Sequence, residues 1–319
     1  MKKYLRNKMI TLLYWILASG ACAGSWVIND DYNTITPNKG VFAQLSQANN
    51  SQNEVQKAFK EISDIKYKDY SINLGHSFLA NYKGTTIDFS PIASRIETIG
   101  DYFLRANQLQ SFDTSGMTAL QQVGNNFLSG AEQLQSFDTS GLTALKKVGN
   151  NFLAGARRLQ SFDTSGLTSL EKVGDHFLYG ARELESFDTR GLTSLQQVGN
   201  NFLRAISNQL ESFDTSGMTA LQEVGGHFLA DAGELKSFDT SGLTALKKVG
   251  NNFLAGPQKL ESFDTSGLTA LQQVGNNFLR AISNQLESFD TRGLTSLQQV
   301  GDNFLAGPQK LESFDTSGL

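Results

Sequence analysis

The sequence predicts an α/β solenoid in which each coil adds one short strand to a parallel β-sheet and one short helix or 3₁₀ turn to another face. The first observation is the motif Ser-Phe-Asp-Thr, followed by Ser-Gly or Arg-Gly. It occurs nine times, with its Ser at positions 111, 136, 161, 186, 212, 237, 262, 288 and 313. A period of 25 or 26 residues is typical of stacked repeats, because a single unit cannot bury its apolar face alone.

The second observation is the distribution of phenylalanine. Eighteen of the 22 Phe residues occupy two repeated positions, one in the Ser-Phe-Asp-Thr motif and one in a Phe-Leu step. Stacked coils would align each position into a column, and burial of one Phe contributes about 1.5–3 kcal/mol. We therefore expect both columns in the core.

Each unit combines a strand pattern with a helical pattern. The stretch LQSFDT (134–139) alternates, so that Phe137 and Thr139 are expected to point inward. Ser140-Gly141 then ends the strand. The stretch LTALKKVG (142–149) has apolar residues at three-residue steps, which predicts a short helix or 3₁₀ turn that Gly149 ends.

Residues 1–23 have the pattern of a secretory signal peptide. A basic start precedes an apolar run from Met9 to Ala18, and Ala21-Cys22-Ala23 fits the small-x-small site that a signal peptidase cleaves. The run is shorter than the ~20 apolar residues of a membrane-spanning helix. We expect export and no membrane span.

Cys22 is the only cysteine and allows a second outcome. Bacterial lipoproteins are cleaved just before a Cys that follows small residues, and Gly20-Ala21-Cys22 is similar to that pattern, although Ser19 stands where Leu is usual. A lipid anchor on Cys22 stays open beside cleavage after Ala23. Neither outcome leaves a disulfide in the mature fold.

The remaining chain divides into two parts. Residues 24–73 are interpreted as a polar leader and N-terminal cap, with an amphipathic helix predicted over Glu54–Ile65. Residues 74–319 are interpreted as about ten repeats, of which the first is degenerate and the last incomplete. The last coil is expected to expose an apolar edge.

The units resemble leucine-rich repeats, and more closely the BspA-like bacterial branch. The resemblance rests on LQSFDT (134–139), VGNNFLAGA (148–156) and their counterparts, and it covers residues from about 74 to 319. It implies a right-handed superhelix with the parallel sheet on the concave face and short helices or 3₁₀ turns on the convex face. It also implies secretion or surface display, with adhesion to other cells. Leu142 stands where ordinary leucine-rich repeats have Asn.

Charge and motifs exclude several function classes. The chain has a net charge of -4, and without its basic first ten residues it is more acidic still, which argues against a nucleic-acid ligand. Phe-Asp-Thr resembles half of an aspartic protease site, but that chemistry needs two facing carboxylates. No nucleophile elbow, phosphate loop or dinucleotide motif is present. We predict no catalytic residue, no cofactor and no metal site, and we expect the three His residues in exposed loops.

The Asp of each Ser-Phe-Asp-Thr motif is predicted to lie above the next one, so that together they form a column of negative charge. Each Asp is expected to accept a hydrogen bond from an N–H of its own turn and so end the strand. Alternatively, the column forms a carboxylate ribbon that binds cations or a basic ligand. The candidate binding residues are these Asp and the two Arg that replace Ser after them: Asp113, Asp138, Asp163, Asp188, Asp214, Asp239, Asp264, Asp290, Arg190 and Arg292.

The units vary most just before the strand, in loops such as 129–133 and 154–158. Loops on a rigid scaffold commonly carry binding specificity. The sequence therefore predicts an exported, non-enzymatic protein that mediates adhesion or partner binding through its concave face and pre-strand loops. Its ligand would be a protein or a repetitive glycan outside the cytoplasm. Two alternatives stay open: a rigid spacer that displays another segment, and a secreted effector that acts by protein binding.

Overall fold

The fold is described from a computed structural model, which covers residues 26–29, 34–37, 51–63, 69–105, 108–206, 209–280, 286–307, 310–315 and 317–318. The predicted signal peptide and Cys22 lie outside these residues. Cleavage and lipidation therefore stay predictions.

The molecule is a solenoid whose coils each contribute two short strands. In the coil that begins at Ser136, the first strand is followed by two successive turns. The N–H of Leu142 donates to the carbonyl of Thr139 at 2.8 Å, and the N–H of Leu145 donates to the carbonyl of Leu142 at 3.0 Å. A second strand, Lys147–Val148, follows directly. Of the short helix or 3₁₀ turn predicted over 142–149, the structure has 3₁₀-type turns in the first part, whereas a strand that was not predicted occupies Lys147–Val148.

The second strands form one continuous sheet of twelve strands, which we call the main sheet. Its first two strands are antiparallel and all later neighbours are parallel, with Val148 opposite Val173 and so on through the stack. The strands in spatial order are β1 (Trp26–Asn29), β2 (Thr34–Pro37), β3 (Ser71–Leu74), β4 (Ile96–Ile99), β6 (Gln122–Val123), β8 (Lys147–Val148), β10 (Lys172–Val173), β12 (Gln197–Val198), β14 (Glu223–Val224), β16 (Lys248–Val249), β18 (Gln273–Val274) and β20 (Gln299–Val300).

The Ser-Phe strands form four small parallel sheets in place of the continuous sheet that the sequence predicts there. Each strand stops after two or three residues, because the Asp and Thr that follow enter a turn. The main sheet is thus built by the Val strands instead. The Ser-Phe strands are β5 (Ser111–Phe112), β7 (Ser136–Phe137), β9 (Ser161–Phe162), β11 (Ser186–Phe187), β13 (Ser212–Phe213), β15 (Ser237–Phe238), β17 (Ser262–Phe263), β19 (Ser288–Asp290) and β21 (Ser313–Asp315).

The two Phe columns lie in the core, as predicted. Phe152 stacks on Phe127 and Phe177 at ring-centroid distances of 5.0 and 5.2 Å, and it meets Phe137 edge-on at 5.7 Å. All four rings are buried. Each coil therefore presents the same arrangement of stacked and perpendicular rings to the next coil.

The buried Thr column connects the coils by hydrogen bonds. Thr139 is 2% exposed, and its hydroxyl donates to the carbonyl of Asp163 at 2.9 Å. The N–H of Gly166 in turn donates to the hydroxyl of Thr139 at 3.4 Å. A Cβ on Gly166 would lie 1.8 Å from the Thr139 carbonyl oxygen, so the close stacking of coils requires glycine here.

The N-terminal elements pack onto the first coil. Helix α1 spans Ser51–Ser63, where the sequence predicts a helix that begins and ends slightly later. Trp26, Val55 and Phe59 are buried, and the ring of Phe59 lies 4.9 Å from that of Phe89. At the other end of the stack, Val300 is 50% exposed and Phe314 is 43% exposed.

Candidate binding groove

A groove of about 1080 Å³ runs along the outer surface of the main sheet. Its lining begins at the coil of Asn125 and ends at that of Gln299, a span of eight coils. With strands about 4.8 Å apart, this length is about 34 Å. The groove identifies the outer surface of the main sheet as the concave side of the solenoid.

One outward side chain from each strand forms the wall of the groove. Each inner Val is buried except on the last coil, so the residue before it points outward. The pairing of the strands places these outward residues side by side in one column. We call it the groove column; its members that line the groove are Lys147, Lys172, Gln197, Glu223, Lys248, Gln273 and Gln299, and Gln122 and Thr98 continue the column beyond the groove.

A ladder of Asn and Asp side chains lies beside the groove column. In this ladder, each side-chain Oδ1 accepts a hydrogen bond from the backbone N–H of the equivalent residue one coil later. The distances are 2.7–2.9 Å. We call it the amide ladder, and it consists of Asp101, Asn125, Asn150, Asp175, Asn200, Gly226, Asn251, Asn276 and Asp302.

Gly226 interrupts the amide ladder, because its N–H donates to the preceding coil but it has no side chain to accept the N–H of Asn251 in the next coil. The N–H of Gly226 donates to Asn200 Oδ1 at 2.8 Å, whereas the N–H of Asn251 has no hydrogen-bond acceptor among the described residues.

His227 follows Gly226 in the chain, and its Nδ1 is buried without a hydrogen-bond partner among the described residues. Burial, and secondarily Arg204, lowers the pKa of His227. The expectation that His227 lies in an exposed loop is therefore wrong.

Lys147 and Lys172 are direct neighbours in the groove column, and Lys248 lies three coils further along. None of the three forms an ion pair with any described residue. If two ammonium groups keep the strand spacing of about 4.8 Å, they repel each other in water by about 0.9 kcal/mol. Glu223, the single acid of the column, accepts a hydrogen bond from Gln197 at 3.3 Å.

The Asp column lies outside the groove, because none of its members is among the groove-lining residues. Each Asp instead accepts the N–H two residues later, as predicted; for example, Ser115 N–H donates to Asp113 Oδ1 at 2.8 Å. This backbone hydrogen bond is the main cause of a lowered pKa for Asp113. The same bond recurs at Asp138, Asp163, Asp188, Asp214, Asp239, Asp264 and Asp290.

The two Arg of the Asp column fold back onto their own carboxylates. Arg190 Nη2 lies 2.6 Å from Asp188 Oδ2, and Arg292 Nη2 lies 2.5 Å from Asp290 Oδ2. In each pair the side-chain hydrogen bond from Arg is the main cause of the lowered pKa of Asp. These Arg therefore neutralise the column locally, and a role of the column in ligand binding stays a prediction.

The groove column was missed at the sequence level, although the sequence holds a signal for it. The two residues before each Val-Gly change from unit to unit, as QQ, KK, EK, QQ, QE, KK, QQ and QQ, while the Leu and Val around them are constant. The helix or 3₁₀ turn that the sequence predicts over this stretch assigns no face to the pair. As part of a strand, its second residue points into the groove.

Two further observations limit the chemistry of the described residues. Within these residues, no group of three or more His, Cys, Asp or Glu side chains could hold a metal ion. No helix among them is long and apolar enough to cross a membrane.

Stacked coils with a parallel sheet along a groove define a solenoid of the leucine-rich repeat class. The chain belongs to the BspA-type leucine-rich repeat family, whose model matches residues 44–160 and 74–209 in six copies. A second family, described as a Mycoplasma protein of unknown function, matches residues 168–274 and 223–319. A search of the curated proteins gives no significant match.

Several solved structures of bacterial leucine-rich repeat proteins are similar to this chain. The functional domain of InlJ from Listeria monocytogenes has 16% sequence identity and a TM-score of 0.36, and the match covers 76% of this chain and 60% of that one. A leucine-rich repeat protein from Bacteroides ovatus has 14% identity and a TM-score of 0.27, with 77% and 79% covered. The internalin inlF from Listeria monocytogenes has 17% identity and a TM-score of 0.21, with 88% and 94% covered.

Proposed function

We propose that this chain is an exported, non-enzymatic binding protein that mediates adhesion or another protein–protein contact through the groove on the main sheet. The observation that carries the proposal is the groove itself, in which constant Val and Gly positions support a variable column of outward side chains. A rigid scaffold with variable exposed positions is the arrangement that repeat proteins use for recognition. Membership in the leucine-rich repeat class supports a protein as the partner.

The N-terminal segment supports binding in the groove over the spacer alternative. A spacer would carry its binding part in residues 24–73 or in a segment beyond Leu319, and the structure bears on the first of these. The described apolar side chains of that segment, including Trp26, Ile35, Val55 and Phe59, are instead buried against the first coil. These described side chains belong to the core of the solenoid, whereas the groove is open to a partner.

A site-directed block of the groove tests the proposal. Because Cys22 is the only cysteine, a Cys22→Ser background allows one new thiol at Gln197, in the middle of the groove column. Coupling maleimide-polyethylene glycol to a Gln197→Cys variant should abolish the binding of protein-coated beads to cells. The matched control is Thr193→Cys, an exposed position on the preceding turn outside the groove. Equal binding by both labelled variants would refute a role for the groove.

Two additional measurements test the nature of the partner and the export. Protease treatment of the target cells should remove bead binding if the partner is a protein, and persistence of binding would indicate a glycan. Intact mass of the protein recovered from the producing cells should show a chain that begins at Gly24 or a lipidated Cys22. Recovery with an uncleaved N-terminus would contradict export through a signal peptide.

A further inference from the structure

The three lysines that line the groove form no ion pair with a described residue, whereas several cations on other faces of the solenoid do. On the pre-strand loops, Arg157 pairs with Glu132 at 3.5 Å and Lys236 pairs with Glu211 at 2.8 Å. Arg190 and Arg292 pair with the Asp column. In contrast, Lys147, Lys172 and Lys248 form no ion pair with any residue that the structure describes, although all three are exposed and line the groove.

The groove has one position with two adjacent lysines and one with a single lysine, and the single lysine has Glu223 as its neighbour on the preceding strand. Lys147 and Lys172 stand on adjacent strands, and Lys248 stands three strands beyond Lys172. With about 4.8 Å between strands, the second position lies about 14 Å from the first. An extended polypeptide advances about 3.3 Å per residue, so this separation corresponds to about four residues.

The rest of the lining suits a polypeptide. Gln197, Gln273 and the amides of the ladder both donate and accept hydrogen bonds, as the backbone of an extended chain requires. The lining residues include no Phe, Tyr or Trp on which a sugar ring could stack. The groove length of about 34 Å accommodates about ten extended residues.

We propose that the groove binds an extended acidic segment of a partner protein. The carboxylate cluster of that segment lies between Lys147 and Lys172, and Lys248, which has Glu223 on the adjacent strand, adds a single contact about four residues away. This inference rests on the proposed function, in which the groove is the binding surface, and it adds the chemical class of the partner. A carboxylate between the two adjacent lysines attracts both ammonium groups and so offsets their mutual repulsion, which favours binding at that position.

A fluorescein-labelled oligo-glutamate peptide of about twelve residues is the probe for a fluorescence-anisotropy titration, with oligo-glutamine as the neutral comparison. The full-length protein should bind oligo-glutamate and not oligo-glutamine, and the affinity should fall between about 20 and 200 mM salt. The variant Lys147→Gln/Lys172→Gln should bind oligo-glutamate about fivefold to tenfold more weakly, since one exposed ion pair contributes up to about fivefold. The control Lys57→Gln/Lys83→Gln removes two exposed lysines outside the groove and should leave the affinity unchanged.

The inference is overturned if the groove variant binds as tightly as the wild type or no more weakly than the control. It is also overturned if oligo-glutamate does not bind, or if dextran sulfate binds and oligo-glutamate does not compete with it. The cell-adhesion assay separates this inference from the proposed function. If the polyethylene glycol block abolishes adhesion while Lys147→Gln/Lys172→Gln preserves both adhesion and peptide affinity, the groove is the binding surface and only the acidic partner is wrong.

Discussion

The interrupted amide ladder predicts that Gly226→Asn stabilises the protein. At the other positions of the ladder from Asp101 to Asn276, Asn or Asp accepts the N–H of the next coil, whereas the N–H of Asn251 has no acceptor within the part of the chain that the structure describes. Gly226 is not in the left-handed region, so a side chain is compatible with its backbone. A Cβ there would lie 3.1 Å from the carbonyl oxygen of Asn251, so this backbone oxygen must move by a few tenths of an ångström to admit a side chain.

The expected gain in the free energy of unfolding has two contributions. One is the restored hydrogen bond, and the other is the lower chain entropy of the unfolded state. One restored hydrogen bond contributes about 0.5–1.5 kcal/mol. Replacement of Gly by a residue that fits its conformation adds about 0.4–1 kcal/mol. After the small steric cost, the free energy of unfolding should rise by about 1–2 kcal/mol. For a chain of this size, that corresponds to a rise in Tm of about 1.5–3 °C.

Gly226→Ala is the matched control, because it adds a Cβ without adding an acceptor. In urea denaturation, the free energy of unfolding of the Asn variant should exceed that of the Ala variant by the contribution of the hydrogen bond. Amide hydrogen exchange reports on the same bond directly, and exchange at Asn251 should slow only in the Asn variant. If Asn and Ala variants are equally stable and exchange at Asn251 is unchanged, the reasoning about the ladder is refuted.

Three other predictions concern the core, the contact between coils and pH. Phe152→Ala should lower the free energy of unfolding by about 3–5 kcal/mol in urea denaturation; a loss below about 1 kcal/mol would contradict stacking as the main source of stability. Gly166→Ala should disrupt coil stacking, because its Cβ would meet the Thr139 carbonyl at 1.8 Å, whereas Ser165→Ala should not; native circular dichroism of both variants would contradict this. The pKa of His227 is lowered from 6.5, so the unfolded chain binds its proton more readily and Tm should fall as pH drops below about 6.5. His227→Asn should weaken that dependence, and an identical Tm profile would exclude His227 as its source.

The repeat, the core columns and the Asp turns could be predicted from sequence, because they depend on local periodicity and composition. Phe137 and Thr139 point inward as expected, and Asp138 accepts the N–H of Ser140 at 3.0 Å. The buried Phe and Thr recur in the eight units before the last, in which Phe314 is exposed, and the Asp turn recurs in all nine described units.

The identity of the main sheet could not be predicted, because it depends on pairing between coils. The run Leu142 to Val148 has the three-residue spacing of a helix, yet its last two residues pair with strands 25 residues away on either side. Periodicity within one unit contains no information about such pairing. The sequence therefore predicts the Asp column as the candidate binding surface, whereas the groove of the structure is lined by the groove column.

Backbone conformation was the other feature without a sequence signal. Asn151 and Leu153 have φ values of 59° and 53°, and the same pair recurs through the stack. Leu rarely adopts the left-handed region. Gly149 was interpreted as a helix end, but it has no positive φ; its Cβ would lie 2.7 Å from the N of Asn125 in the preceding coil. Close approach between coils, and not chain reversal, requires this glycine.

The near-identical Phe ladders create a problem of register during folding. Each coil offers the same stacked and perpendicular rings. If one coil is left out of the stack during folding, the two coils on either side of it can therefore still form nearly all of the usual ring contacts with each other. The N-terminal interface is different, since Phe59 meets Phe78 and Phe89 in an arrangement that no later described coil repeats. Folding that starts at this end and proceeds coil by coil would avoid skipped coils, so the cap acts as the reference point from which the order of the coils is set.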